Sequence, residues 1–216
     1  MPATQSQQHR APRRDAAENR STILEAAAAA LNRDIDASLA TIAETAGLSR
    51  RAIYGHFATR DELVTEVLLH GAKRVGASLN PVTHADARVE IALYGSTLWA
   101  EVAHVRVMAQ LAVRGPHRGQ VAAALAPARA RLYDTVVRGV ATGVLRQDIA
   151  PTTLARLIEG AALAVLDEAN RARMSRARGH ELVMLAALST AGMAWREADQ
   201  LIASTPELAV SKGAGA

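Results

Sequence analysis

The 216-residue chain has no cysteine, which excludes a disulfide framework and any thiolate metal site. Aromatic side chains are scarce at 3% while half of the residues are hydrophobic, so a core has to be built from aliphatic side chains and alanine. Alternating β-branched runs and hairpin dipeptides are also scarce, and an alanine-rich chain without them is expected to be all-α. No window holds the ~18–20 apolar residues that a membrane span requires, and no apolar segment of an export signal opens the chain; the expected location is cytoplasmic. Lysine is nearly missing as well. Apart from Lys73 and Lys212 every Lys/Arg position is arginine, and the formal charge of +4 suits an anionic partner.

The signatures of catalysis are absent from the sequence too. There is no nucleophile elbow, the glycines at 139–143 lack phosphate-loop spacing, and the histidines show no H-x-x-x-H ligand pair. His84, His104, His117 and His180 read individually as surface or core groups. No catalytic residue, metal or cofactor is therefore assigned, and the chain is not expected to be an enzyme.

What is present is concentrated in Ser38–Glu66. Leu39, Ile42, Ala43 and Ala46 recur at helical spacing behind Ser38, an N-cap residue type. Gly47 supplies the residue that closes such a helix in left-handed conformation, and Leu48 can then turn inward. Ser49 caps a second short helix in which Ile53 and Phe57 share one face, while Arg50, Arg51 and Tyr54 gather on the other. Two arginines in a first turn oppose the helix dipole, so an anion is expected to compensate. A hydroxyl cap, free N–H groups and two guanidinium groups suit a DNA phosphate edge and the acceptor-rich major-groove edge of guanine. The spacing is that of a helix-turn-helix.

These residues resemble the DNA-binding domain of the TetR family of bacterial transcription regulators. The resemblance rests on Ser38, Ile42-Ala43, Ala46 to Ser49, Ile53-Tyr54, His56-Phe57 and Asp61 to Leu63, with Arg20, Ile23-Leu24 and Ala26-Ala27 matching its first helix. It covers roughly residues 15–70. Arg51-Ala52 departs from a small residue followed by a hydroxyl one, Arg60 stands where lysine is usual, and Leu31 where an aromatic is frequent. The expected DNA contacts are Ser38, Ser49, Arg50, Arg51, Tyr54, His56 and Arg60. Arg10, Arg13 and Arg14, in a Gln-, Pro- and Arg-rich flexible tract, would act as a basic arm.

Along the chain, residues 1–14 form that arm, 15–60 the three-helix DNA-binding domain, and 61–216 a second helical domain, with about nine helices in all. The first helix is expected from Asp15, paired with Glu18, to the 32–36 loop. A Thr59–Glu62 capping box should open a fourth helix that Asn80-Pro81 ends. A long helix is expected from about Asp86 to Val113, a short one near Gln120–Leu125, and one from Pro127 to Thr142 closed by Gly143. The segment 143–151 resembles the loop that enters the last two helices of the family, expected over Thr152–Arg173 and Gly179–Ser204. The end, Ser211–Ala216, is expected to fray.

The resemblance implies that the C-terminal domain binds a small effector. Tyr94, Leu98, Trp99, Met108 and Tyr133, with His104 as a polar group, mark the region to inspect. In the last two helices small residues form a second apolar face, which fits a two-fold four-helix dimer interface through Leu154, Ile158, Ala161, Val165, Leu182, Leu185, Ser189 and Gly192. The expected function is a ligand-responsive homodimeric repressor of a palindromic operator in double-stranded DNA. The alternatives are a ligand-independent regulator or activator and, in another class, an enzyme using the C-terminal cavity.

Overall fold

Eleven α-helices and one 3-10 turn account for the regular structure of the computed structural model, which describes residues 11–45 and 47–209, with side chains from Arg20 onward. No strand occurs among the described residues, as an alanine-rich chain with few β-branched alternations leads one to expect. The expected pair Asp15–Glu18, the side chain of Ala46 and the end 211–216 lie outside this description.

The chain divides into two compact units, Met1–Gly71 and Ala72–Ala216. In the first, α1 spans Ala11–Arg33, α2 Leu39–Thr45, α3 Arg50–His56, and α4 begins at Arg60 and continues to Leu79 in the second unit. α1 therefore starts at Ala11 and not at Asp15. Pro12 is no obstacle there, because the N–H it lacks has no helical partner in a first turn. The core of this unit is aliphatic apart from one ring: Ile23, Leu24, Ala27 and Leu31 from α1, Leu39, Ile42 and Ala43 from α2, Ile53 from α3, and Phe57 are all buried. Leu63, Val67 and Leu68 of α4 join them.

The local signals behave as the residue types dictate. Ser38 Oγ accepts the Thr41 N–H at 3.1 Å and so caps α2. Gly47 takes φ +67°, and the N–H groups of Gly47 and Leu48 donate to Glu44 O at 3.1 Å and Ala43 O at 2.8 Å, closing α2 as a Schellman turn. At α4, Thr59 Oγ1 accepts the Glu62 N–H at 3.1 Å, while the Glu62 carboxylate reaches back to the Ala58 N–H at 2.8 Å. The box thus spans one residue more than its usual form.

In the second unit, α5 (Ala87–Val102) and α10 (Arg176–Thr190) are the central pair, with α6 (Arg106–Arg114), α7 (Arg118–Ala124), α8 (Ala126–Ala141), α9 (Pro151–Arg171) and α11 (Trp195–Ser204) around them. The helices α5 and α10 run antiparallel at close range: a Cβ on Gly95 would lie 3.5 Å from Val183 O, and one on Gly179 would fall 2.0 Å from the Trp99 ring. Two expected long helices are broken. The first splits at Ala103–Val105, where Arg106 Nη1 donates to Ala169 O and Met174 O, both at 3.1 Å, and so sets the start of α6 by tertiary contact. The second splits after Thr190. Gly192 adopts φ +108° and Arg146 N–H takes the Ala191 carbonyl at 3.0 Å, so the chain turns before restarting at Trp195.

One buried charge ties α5 to α8. Glu90 is 3% exposed and accepts from Thr135 Oγ1 at 2.6 Å, His84 N–H at 2.9 Å and Arg138 Nη2 at 2.5 Å. Burial pushes its carboxyl up, but those three donors outweigh burial and hold it below the ordinary carboxylate value. A buried acid with this many donors is a satisfied structural group.

Candidate nucleic-acid interface

α3 sorts its side chains by face as its sequence requires. Ile53 and Phe57 are fully buried, whereas Arg50, Arg51 and Gly55 are exposed and Tyr54 is 55% exposed. Ser49 caps the helix in extended conformation, its Oγ accepting the Ala52 N–H at 3.1 Å. No acidic residue stands in the first turn, so the positive end of the dipole and two guanidinium groups share one surface. Such a surface repels cations and offers several donors in fixed directions to an anion. Ser38 lies exposed at the start of α2, its hydroxyl also paired with Thr41 Oγ1 at 2.9 Å.

His56, half-buried, tilts against Phe57 with ring centres 6.3 Å apart, leaving only part of the imidazole for an outside partner. Arg60 is placed differently from the expected phosphate contact. Its Nε donates to Ala37 O at 2.9 Å and its Nη2 to Ile35 O, so the guanidinium grips the loop that leads into α2. Arg10 lies outside the described residues, as do the side chains of Arg13 and Arg14.

Sequence reasoning missed a second arginine that matters here. Arg20 of α1 forms a fork-to-fork pair with Glu66 of α4, Nε to Oε2 at 3.1 Å and Nη2 to Oε1 at 2.5 Å, and its guanidinium carbon sits 4.7 Å from the centre of the Phe57 ring. Forty-six positions separate the two partners, so no periodicity links them; Phe57, the one phenylalanine of the sequence, was the available signal.

Of the residues singled out for an effector, Tyr94, Trp99 and Leu98 belong to the core of the second unit. Tyr94, Trp99 and Met108 are buried, Leu98 half-buried, and His104 and Tyr133 exposed. Trp99 is held structurally, its Nε1 donating to Arg176 O at 2.9 Å. Tyr94 is different: its buried Oη has no hydrogen-bond partner, and burial raises its pKa. Although His104 reaches solvent, partial desolvation by the surrounding protein, reinforced by the Arg74 and Arg176 charges, holds it below the ordinary histidine value.

The residues proposed for a dimer face divide in two. Leu154, Ile158 and Val165 are buried in the chain's own core, and Gly192 lies in the turn after α10. Ala161, Leu182 and Leu185 are half-buried and Ser189 is exposed. Leu157, which was not singled out, is 47% exposed on α9, with Gly160 and Ala164 exposed beside it.

Residues 23–67 match the family model described as bacterial regulatory proteins, tetR family. No curated protein matches the chain. Among solved structures, that of a putative TetR-family transcriptional regulator from Rhodococcus sp. is similar over 81% of this chain and 98% of its own, at 21% identity and TM-score 0.63. FadR from Bacillus subtilis in complex with stearoyl-CoA is similar over 77% and 96%, at 16% identity and TM-score 0.62. RolR in complex with resorcinol is similar over 91% and 97%, at 19% identity and TM-score 0.59. Residues 23–67 thus carry the similarity to the tetR family model, and the chain has the fold of the TetR-family regulators among these structures.

Proposed function

We propose that this chain is a homodimeric, ligand-responsive repressor that reads a palindromic operator with α3. The observation that supports this most strongly is the division of α3 into a buried Ile53–Phe57 face and an exposed Arg50–Arg51–Tyr54 face beneath a serine cap. Arg50 and Arg51 meet base edges or phosphates, Tyr54 and the outward part of His56 bond phosphate, and the Ser38 and Ser49 hydroxyls combine capping with contact to backbone oxygens. Arg10, Arg13 and Arg14 extend the footprint as a basic arm. Arg60 serves by holding the loop before α2.

Dimerisation supplies the second reading head. Two recognition helices about 34–36 Å apart enter successive major grooves on one side of the duplex. The exposed residues Leu157, Gly160, Ala164 and Ser189, with the half-buried Ala161, Leu182 and Leu185, form the contact face of α9 and α10. In the effector step, a small molecule binds the second unit in one arrangement better than another, and α4, which runs from one unit into the other, carries the change. FadR with stearoyl-CoA and RolR with resorcinol lend this support as ligand complexes of similar fold. The packed state of Trp99 favours a second reading, a regulator that responds to no ligand.

The test is selection of bound duplexes from a random pool, followed by titration of the selected duplex at several salt concentrations. Arg50→Ala or Arg51→Ala is expected to weaken binding by about 1–3 kcal/mol if the side chain reads a base, and to lower the salt slope by about one if it holds a phosphate. Neither variant altering affinity or sequence preference would exclude α3 as the reader. Operator affinity that survives every compound saturating the second unit would favour the ligand-independent reading.

A further inference from the structure

We propose that Arg20 is a positioning residue for α3, fixing the reading helix from behind through Phe57 without itself touching DNA. The inference rests on the reading of α3 as the DNA-facing element. α3 has only seven residues, too few to hold a helix by its own hydrogen bonds, so its direction depends on what its inward side chains meet. Those anchors are Ile53 and Phe57. Phe57 is also the residue that closes the helix, its N–H donating to Ile53 O at 2.9 Å.

Arg20 lies against that ring, its guanidinium carbon 4.7 Å from the ring centre. The guanidinium has no freedom to slide, because Glu66 receives both Nε and Nη2. One planar group therefore joins α1, the end of α3 and α4. The pair is about one-third exposed on each side, so Coulomb attraction alone stabilises it little. Direction is what it supplies: a bidentate fork fixes where the guanidinium lies, and the guanidinium lies over the Phe57 ring. Lysine would keep the charge and lose both, which separates geometry from charge.

The experiment uses the full chain with Arg20→Lys and Glu66→Gln, each checked for retained thermal melting. Two readouts are taken: amide hydrogen exchange at Ile53 and Phe57, and affinity for a duplex selected by the wild type, measured across salt concentrations. Arg20→Lys is expected to speed exchange at Phe57 roughly three- to tenfold and to weaken the duplex about tenfold, with the salt slope unchanged. Glu66→Gln, which leaves Arg20 in place but loosens its hold, is expected to move both in the same direction and is the variant read if Arg20→Lys does not fold. Unchanged exchange at Phe57 would overturn the proposal, and so would a salt slope lower by about one, which would make Arg20 a phosphate contact. A wild type that selects no duplex would sink the DNA-binding reading instead, and exchange at Phe57 alone would then decide the role of Arg20.

Discussion

At the scale of single residues, the tightest constraint in the second unit is the contact of Trp99 with Gly179. A methyl group at 179 would come 2.0 Å from the indole, and the indole is tied to Arg176 O, so neither side can yield cheaply. Gly179→Ala is expected to destabilise by at least about 1–3 kcal/mol, the usual range for overpacking, seen as a lower urea midpoint. Gly119 provides the control. It sits in α7 with nothing within 4 Å of its would-be Cβ, so Gly119→Ala should be neutral or stabilise by up to about 1 kcal/mol. An equal loss at both sites would show that the effect comes from the glycine backbone and not from the ring. The sequence makes the role of Gly47 legible, since a glycine after an apolar stripe has one frequent meaning. The role of Gly179 is not legible, because its reason is a ring eighty positions away in the chain.

At the scale of elements, the reading region was readable because its signals are local. Ser38, Ser49 and Thr59 each cap the helix that their spacing indicates, and Ile53 with Phe57 faces inward as a three-to-four periodicity demands. The helix breaks at Ala103–Val105 and after Thr190 were not, since the first has no glycine or proline and is set by Arg106, and the second needs Arg146 from another segment. Arg60 illustrates the same limit within the reading region. At its position a basic residue suggests a phosphate, yet the side chain folds back onto Ile35 O and Ala37 O. Arg60→Gln is therefore expected to loosen the 34–37 loop, with faster proteolysis there, and to weaken a selected duplex without changing its salt dependence. A salt slope reduced by about one would instead return Arg60 to the phosphate contacts.

At the scale of the molecule, the proposed homodimer requires an apolar surface for a second copy to cover. On α9 the apolar residues Leu154, Leu157, Ile158 and Val165 read as one broad stripe, in which helical spacing does not separate an inward side from an outward one. Burial assigns Leu154, Ile158 and Val165 to the chain's own core, so these three are not available to a partner without unfolding the domain. That leaves Leu157, at 47% exposure, as the largest apolar group on the outer face of α9, followed at i+3 and i+7 by Gly160 and Ala164. Those small residues let another helix approach closely, and Leu157 then becomes the side chain with most area to remove from water. In an isologous interface both copies carry Leu157→Glu, so two carboxylates enter one apolar face. The expected outcome is a monomer by sedimentation with helical content unchanged, and a selected palindromic duplex bound only at the far weaker affinity of a single head. Leu154→Ala, followed by urea unfolding, should lower the stability by about 2–5 kcal/mol, as a core truncation does, while the folded protein sediments as the wild type. A Leu157→Glu variant that sediments as the wild type and binds the palindrome equally well would remove α9 from the interface.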